Sequence, residues 1–354
     1  MSRKKILALL LAVGLIAVTI CLERCAFSPH TTLTVCTQQD CIHPDVLEAF
    51  TEDTGIEVEY IVLENSAGLE ELPDCDVLLA DVEQLSAFWE QQALLELDQS
   101  QIPNAETIDN VFSSIPFIRD SGCAGPCLWT TMGLIYDPAL TDTRVTGWSN
   151  LFSGDFSGRV VMPESSRESY AAALAALGLG VNTNDTEDAA AAGDYLEQQL
   201  PLILDYCSSP RLAELIATDP QLIAPCYGAD AIRLMASTES ISFVIPSEGT
   251  WQMVLAYAIP VETQNQELAY TLIDYLCRPE SLAKNAAYSS YSTVSLEAYE
   301  LLDPSWQVNP LAYPTGTDWT VYPMLDSQDS QIRTDCQVRW HQIQQDWSEH
   351  HWES

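Results

Sequence analysis

The chain has 354 residues, 47% of them hydrophobic and 18% charged, proportions of a folded globular protein rather than a disordered one. At roughly 100–200 residues per domain, two domains are expected. Its formal net charge is −37, and beyond residue 22 the only lysine is Lys284, so the surface repels nucleic acid and anionic lipid and attracts cations.

Residues 1–22 set Arg3, Lys4 and Lys5 before an apolar run from Ile6 to Ile20, the layout of an export signal or a signal-anchor. The run falls short of the about 20 apolar residues that a confident membrane span needs. Val18-Thr19-Ile20-Cys21 resembles a bacterial lipobox with Ile20 where a small residue is usual. Cys21 is therefore the lipidation candidate, and an uncleaved anchor is the other reading.

Residues 33–60 then read as strand, loop, amphipathic helix, helix stop and strand. Val46, Leu47 and Phe50 share one helical face, Gly55 supplies the left-handed cap, and Ile56, Val58 and Tyr60 alternate with Glu57 and Glu59. The run 75–80 predicts a buried strand, 82–92 a helix through Leu85, Phe88 and Trp89, and 129–136 another strand ended by Asp137-Pro138. A second α/β series follows. Strands are predicted at 159–162, 222–225, 242–245 and 255–259, and helices at 168–179, 187–200, around 229–236, at 266–277 and at 332–347. No internal repeat and no flexible linker separates the two halves, which predicts lobes packed together with several chain crossings. An α/β unit directly behind an export signal points to an exported ligand-binding domain, because such sheets bind ligands at the carboxyl ends of their strands.

Beyond Cys21 and Cys25 nine cysteines remain: Cys36, Cys41, Cys75, Cys123, Cys127, Cys207, Cys226, Cys277 and Cys336. In an exported chain several can pair, but spacing alone does not reveal which. Cys123-Ala-Gly-Pro-Cys127 has one residue too many for a thioredoxin-like redox motif, so a loop disulfide or buried thiols are favoured over catalysis. His341, His350 and His351 sit near acids in the tail without ordered metal-ligand spacing, and no metal is expected. Phosphate loops, nucleophile elbows and metalloprotease motifs are absent from the sequence, so neither an enzyme nor a cofactor is expected. Ser165 or Ser166 is expected to cap a helix, and Trp148, Leu151 and Phe152 to pack inside the protein.

Several segments then recur in one order: Leu47-Glu48-Ala49-Phe50 with Thr54-Gly55-Ile56-Glu57-Val58; Cys75-Asp76-Val77; Thr146-Gly147-Trp148-Ser149-Asn150-Leu151; Arg167-Glu168; Pro246-Ser247-Glu248-Gly249; Ala258-Ile259-Pro260; Arg278-Pro279-Glu280. In that order the chain resembles the spermidine/putrescine-binding proteins of bacterial ABC importers over nearly all of its exported part. The resemblance implies an α/β, two-lobed, Venus-flytrap fold of the periplasmic-binding-protein type, with mixed open sheets and interlobe crossings. One lobe would hold residues 32–136 plus 256–303 and the other 138–253 plus 310–354, behind an anchor in 1–30. Such a protein closes on its ligand by a hinge motion and delivers it to a permease and its ATPase.

A polyamine needs carboxylates for its ammonium groups and aromatic faces for its methylenes. The resemblance carries the cage onto Gln38, Asp40, Asp81, Glu83, Ser165, Glu168, Cys226, Tyr227, Met253, Leu255 and Tyr291. Several of these depart from the family pattern. No aromatic stands at Gln38-Gln39-Asp40-Cys41, and the family's hydroxyl and aromatic residues become Asp81 and Glu83. Ser165 replaces an acid, Cys226 a tryptophan, and Met253 and Leu255 a tryptophan and an aspartate. Two readings follow. In one the cage is rebuilt, with Asp40, Asp81, Glu83, Glu164 and Glu168 keeping it anionic and Trp129, Tyr227, Trp251 and Tyr291 covering a polyamine or related organic cation. In the other the fold persists without polyamine recognition, binding another solute or serving as an anchored sensor. An anionic ligand would need buried Arg or Lys, for which Arg167 and Arg233 are the candidates.

Overall fold

The computed structural model describes residues 32–351 except Gln39, 64–70, 140–141, 320–322 and 326–328. Cys21 and the basic-apolar N-terminus lie outside the described residues. The first unit folds as its pattern predicts. Strand β1 (Thr32–Thr37) leads to helix α1 (Pro44–Thr54), which Pro44 opens and His43 caps through Nδ1, accepting from the Asp45 N–H at 3.0 Å. Gly55 closes α1 at φ 75°, and its N–H donates to the Thr51 carbonyl at 2.8 Å. Val46 and Phe50 are buried beneath it.

Strands β2 (Glu57–Val62) and β3 (Val77–Asp81) flank β1 in parallel. Helix α2 (Val82–Glu90) follows β3 without a loop. Strand β4 (Ala124–Tyr136) begins five residues earlier than its apolar run suggests. Gly125 and Pro126 interrupt the pattern, and the register against its neighbour shifts between Pro126 and Leu128, where proline lacks a ladder N–H. The Cys127 thiol donates there to the Leu255 carbonyl at 3.2 Å.

The second half is built from β5 (Val160–Pro163), α3 (Ser166–Ala176), α4 (Thr186–Gln198), β6 (Ile203–Cys207), α5 (Ser209–Thr218), β7 (Ile223–Tyr227), α6 (Gly228–Ser237) and β8 (Ser242–Val244). The chain then returns through β9 (Gln252–Ala258), α7 (Gln266–Leu276), α8 (Pro279–Ser289) and β10 (Ser292–Thr293), and ends in α9 (Ser330–His351). β6, α5 and α8 escape a periodicity reading. Asp205 interrupts the apolar run of β6, and Pro279, a stop for α7, is also the first residue of α8. The five alanines 171–173, 175 and 176 lie on α3, which packs against α4 and α9.

The strands follow one path, β2-β1-β3-β9-β4-β7-β5-β6, with β8 and β10 both pairing β4. β4 and β9 are antiparallel to each other, and both cross between the two parallel sets. The amino-terminal part of β4 pairs β9, and from Met132↔Tyr227 onward β4 pairs β7. One core gathers around Phe50, Phe88, Trp129 and Tyr257, and takes in Ala312, Tyr313 and Trp319 from the tail. Another gathers around Trp148, Leu151, Tyr170, Trp251 and Trp340, with a further apolar cluster about Ile135, Ile216 and Leu222. Trp148 stacks on Trp251 with centroids 4.8 Å apart, and Phe152 stacks on Tyr195 at 3.9 Å, so the packing roles expected of 148–152 are what the structure shows.

Gly133 lies where β4 serves the second half. A Cβ there would stand 2.3 Å from the Phe243 ring and 2.7 Å from the Val244 carbonyl oxygen. Gly133→Ala is expected to destabilise the protein by about 1–3 kcal/mol in urea unfolding, through overpacking against backbone that is itself paired in the sheet. An unchanged midpoint would show that β8 is free to move away.

Candidate functional site

Three strand-to-helix junctions face one cleft of about 1190 Å³. At the first, Asp81 ends β3 and caps α2, its Oδ1 accepting from the Gln84 N–H at 2.8 Å. The Asp81 N–H in turn donates to Oε1 of buried Gln38 at 3.1 Å, which ties the end of β1 to the same junction. At the second, Ser165 caps α3 with its Oγ accepting from the Glu168 N–H at 3.3 Å. At the third, Tyr227 ends β7, and its hydroxyl donates to Glu168 Oε1 at 2.5 Å.

Each helix places a carboxylate in its first turn: Glu83 in α2, Glu168 in α3 and Asp230 in α6. The partial positive charge of a helix N-terminus favours this placement. Burial opposes it. Burial pushes Glu168 up to about 7, against the Tyr227 hydrogen bond, and neighbouring Asp81 and Asp230 push it in the same direction. Glu83 also rises to about 7, first from burial and then from Asp81. Burial raises Asp81 as well, while backbone N–H donors hold it back. Arg167 moderates both glutamates, but its Nη1 donates to the Val181 carbonyl at 2.9 Å and Nη2 to Asn182 Oδ1, so it is held by the protein. Arg233 is likewise engaged, with Asp230 and the Ser289 carbonyl.

The floor of the cleft is apolar: Cys226, Met253 and Leu255, with Leu255 opposite Asp81 in the β3–β9 register. Tyr291 adds aromatic lining, and Tyr206, Trp340 and Trp347 line it further along α9, whereas Trp251 borders the cleft but is fully buried against Trp148 and gives it no aromatic cover. Among the described residues no group of three or more His, Cys, Asp or Glu side chains could hold a metal ion.

Residues 45–315 match the family of bacterial extracellular solute-binding proteins. The chain belongs to this family. The spermidine/putrescine-binding periplasmic protein of Escherichia coli K12 is 27% identical over 281 residues, covering 77% of this chain and 80% of that protein. The putrescine/agmatine-binding protein of Pseudomonas aeruginosa PAO1 is 25% identical over 336 residues, covering 87% and 91%. In fold, a spermidine/putrescine ABC transporter substrate-binding protein from Streptococcus pneumoniae superposes with a TM-score of 0.76 at 22% identity, covering 89% of this chain and 99% of that one. This solute-binding protein thus has the two-lobed α/β fold expected from its sequence, and it is not an enzyme.

Within the solute-binding protein, Gln38, Asp81, Glu83, Ser165, Glu168, Cys226, Tyr227, Met253, Leu255 and Tyr291 all line the one cleft. Two predicted residues do not. Asp40 is exposed and accepts from the Tyr288 hydroxyl at 2.7 Å, away from the cleft. Trp129 is fully buried in the first core, packed near Phe112, Tyr313 and Trp319, with its indole N–H donating to the Thr293 carbonyl at 2.9 Å. Asp230 was not foreseen from the sequence, although it stands three residues past the N-cap of α6, just as Glu168 stands three residues past the N-cap of α3. The α9 wall, including Arg333 and its 3.1 Å contact with Glu90, carried no local signal at all.

A carboxyl raised in the folded state contributes stability that is fully present below its unfolded value and is lost as pH rises through the folded one. For Glu83 and Glu168 that window runs from about 4.5 to about 7. The ligand-free protein is expected to lose melting temperature between pH 5 and 8, and Glu168→Gln, fixed in the neutral form, to melt about 2–6 °C higher than wild type at pH 8. Parallel wild-type and variant curves across that range would remove Glu168 from the buried cluster.

Proposed function

We propose that this protein captures a polyamine or a closely related organic cation in its cleft and passes it to an ABC permease and ATPase. The observation that carries the proposal is the convergence of Asp81, Glu83, Glu168 and Asp230 from three helix N-termini onto one cleft. Two of the four are raised to about 7, so the cleft holds carboxyls whose charge an ammonium group would stabilise. Met253, Leu255 and Cys226 offer an apolar floor to methylenes, and Tyr227 and Tyr291 offer aromatic cover. The polyamine-binding relatives support the same ligand class. Loss of polyamine recognition is the weaker reading, because the acids are gathered in the cleft rather than scattered over the surface. The two cores support lobes of residues 32–136 with 256–303 and of 138–253 with the tail, residues 312–319 following the first, and closure about the β4–β9 crossing. We place the protein on the outer face of the membrane or in the periplasm, held by its N-terminal segment, with Cys21 as the lipidation site. No helix among the described residues is long and apolar enough to cross a membrane.

Titration calorimetry with spermidine and putrescine tests the ligand class; absence of both heat and thermal shift with either would sink it while leaving the fold untouched. Glu168→Gln is expected to weaken binding by more than about tenfold, the loss of one charge-assisted partner. Binding at pH 7 should release protons, seen as a buffer-dependent heat, and affinity should fall at least about tenfold from pH 7.5 to 5.5 as Glu83 and Glu168 protonate. A pH-independent affinity would show that neither glutamate meets the ligand.

A further inference from the structure

Helix α2 buries Val82, Leu85 and Phe88 in the first core, and α9 buries Ile332, Cys336, Trp340 and Ile343 in the second. Both helices also line the cleft. On α2 the lining residues Glu83, Ala87 and Glu90 recur at helical spacing, and on α9 so do Arg333, Gln337, His341 and Gln344. At one end of these stripes Arg333 Nη2 donates to Glu90 Oε2 at 3.1 Å, with both side chains partly open to solvent. The contact ties a helix of one half of the molecule to a helix of the other.

Neither charge suits its own helix. Glu90 is the last residue of α2, and a helix C-terminus carries partial negative charge. Arg333 stands three residues into α9, and a helix N-terminus carries partial positive charge. Each helix end favours the charge that the other helix brings, so both charges are well placed only while the two ends meet. Each helix is also fixed to its own half. Asp81 caps α2 from the end of β3. On α9, Arg339 Nη2 donates to Asp194 Oδ1 at 2.6 Å and to Glu197 Oε1 at 2.8 Å, and its Nη1 to the Ala190 carbonyl at 3.0 Å, all three on α4. Gly193 makes room for this clamp, since a Cβ there would stand 2.5 Å from Arg339 Nη1. The Trp340 indole N–H adds a bond to the Glu164 carbonyl at 2.8 Å. With both helices anchored, the distance from Arg333 to Glu90 follows the distance between the halves.

We propose that Arg333 and Glu90 form a latch between the two lobes, which favours their closed arrangement and so tunes the affinity of the cleft for its ligand. A ligand that needs the closed cleft binds in proportion to the fraction of protein already closed. A partly exposed ion pair contributes little by itself, so the latch biases closure rather than locking it. Arg333 also draws the Glu83 carboxyl down, against the burial that raises it. That gives the latch a distinctive signature. If Arg333 were only a positive charge beside the cleft, its removal would strengthen the capture of a cation; as a latch, its removal weakens capture. The inference rests on the two-lobed fold and requires no particular ligand.

The test compares the wild-type chain with Arg333→Gln, with Glu90→Gln, with the two combined, and with the charge-swapped pair Arg333→Glu, Glu90→Arg. Each is measured by small-angle X-ray scattering without ligand and by calorimetry with spermidine. Each single variant is expected to show a larger radius of gyration than wild type and to bind spermidine about two- to fivefold more weakly. The combined Gln variant should be no weaker than either single one, because the pair acts as a unit, and the swapped pair should return towards wild type in both measurements. Wild-type scattering from both single variants overturns the proposal, as does tighter spermidine binding by Arg333→Gln or a swapped pair no better than the single variants. Scattering needs no ligand, so absence of heat with spermidine would remove the polyamine reading and leave the latch to be decided by the scattering alone.

Discussion

β4 and β9 run antiparallel from Ala124↔Ala258 to Thr131↔Gln252, and both halves of the molecule hang from this ladder. β9 hands its other edge to β3, and β4 beyond Thr131 turns its edges to β7 and β8. The ladder therefore sets how the carboxyl ends of β3 and β7 face each other, and with them the helices that start there. Leu255 shows the coupling at one residue, since it pairs Asp81 on one side and Leu128 on the other. A shift of one residue in β9 would turn its floor-forming side chains to the opposite face.

The cleft balances two opposed effects. Helix N-termini carry partial positive charge and welcome carboxylates. Low solvent access makes those carboxylates costly, and for Glu83 and Glu168 two neighbours of like sign make them costlier. Local hydrogen bonds resolve part of the conflict: Asp81 accepts from the first turn of α2, Glu168 from Tyr227, and Asp230 pairs Arg233. The remaining excess is what an ammonium group would neutralise.

Local features were legible wherever short-range rules decide the outcome. Gly55 closes α1, Ser165 caps α3, and the alternation of Val58 and Tyr60 with Glu57 and Glu59 marks β2, because caps and strand faces depend on residues only a few positions apart. Where Gly125-Pro126 and Asp205 break the pattern, β4 began too late and β6 went unseen, since long-range ladders overrode local propensity. For the site, ten of the twelve expected lining residues meet in the cleft. Trp129 did not, because an apolar strand residue reads the same whether its ring faces a cleft or a core of Phe112, Tyr313 and Trp319.

By itself the sequence determined the α/β class, the basic-then-apolar pattern of the N-terminus, the strongly acidic character and the order of segments that places the chain in its family. These depend on composition, periodicity and local caps. Only the tertiary structure decided which acids share a cleft, and that Asp230 joins them while Asp40 stays outside. Those contacts join residues far apart in the chain. They depend on which strands cross and in what register, and no local rule encodes that.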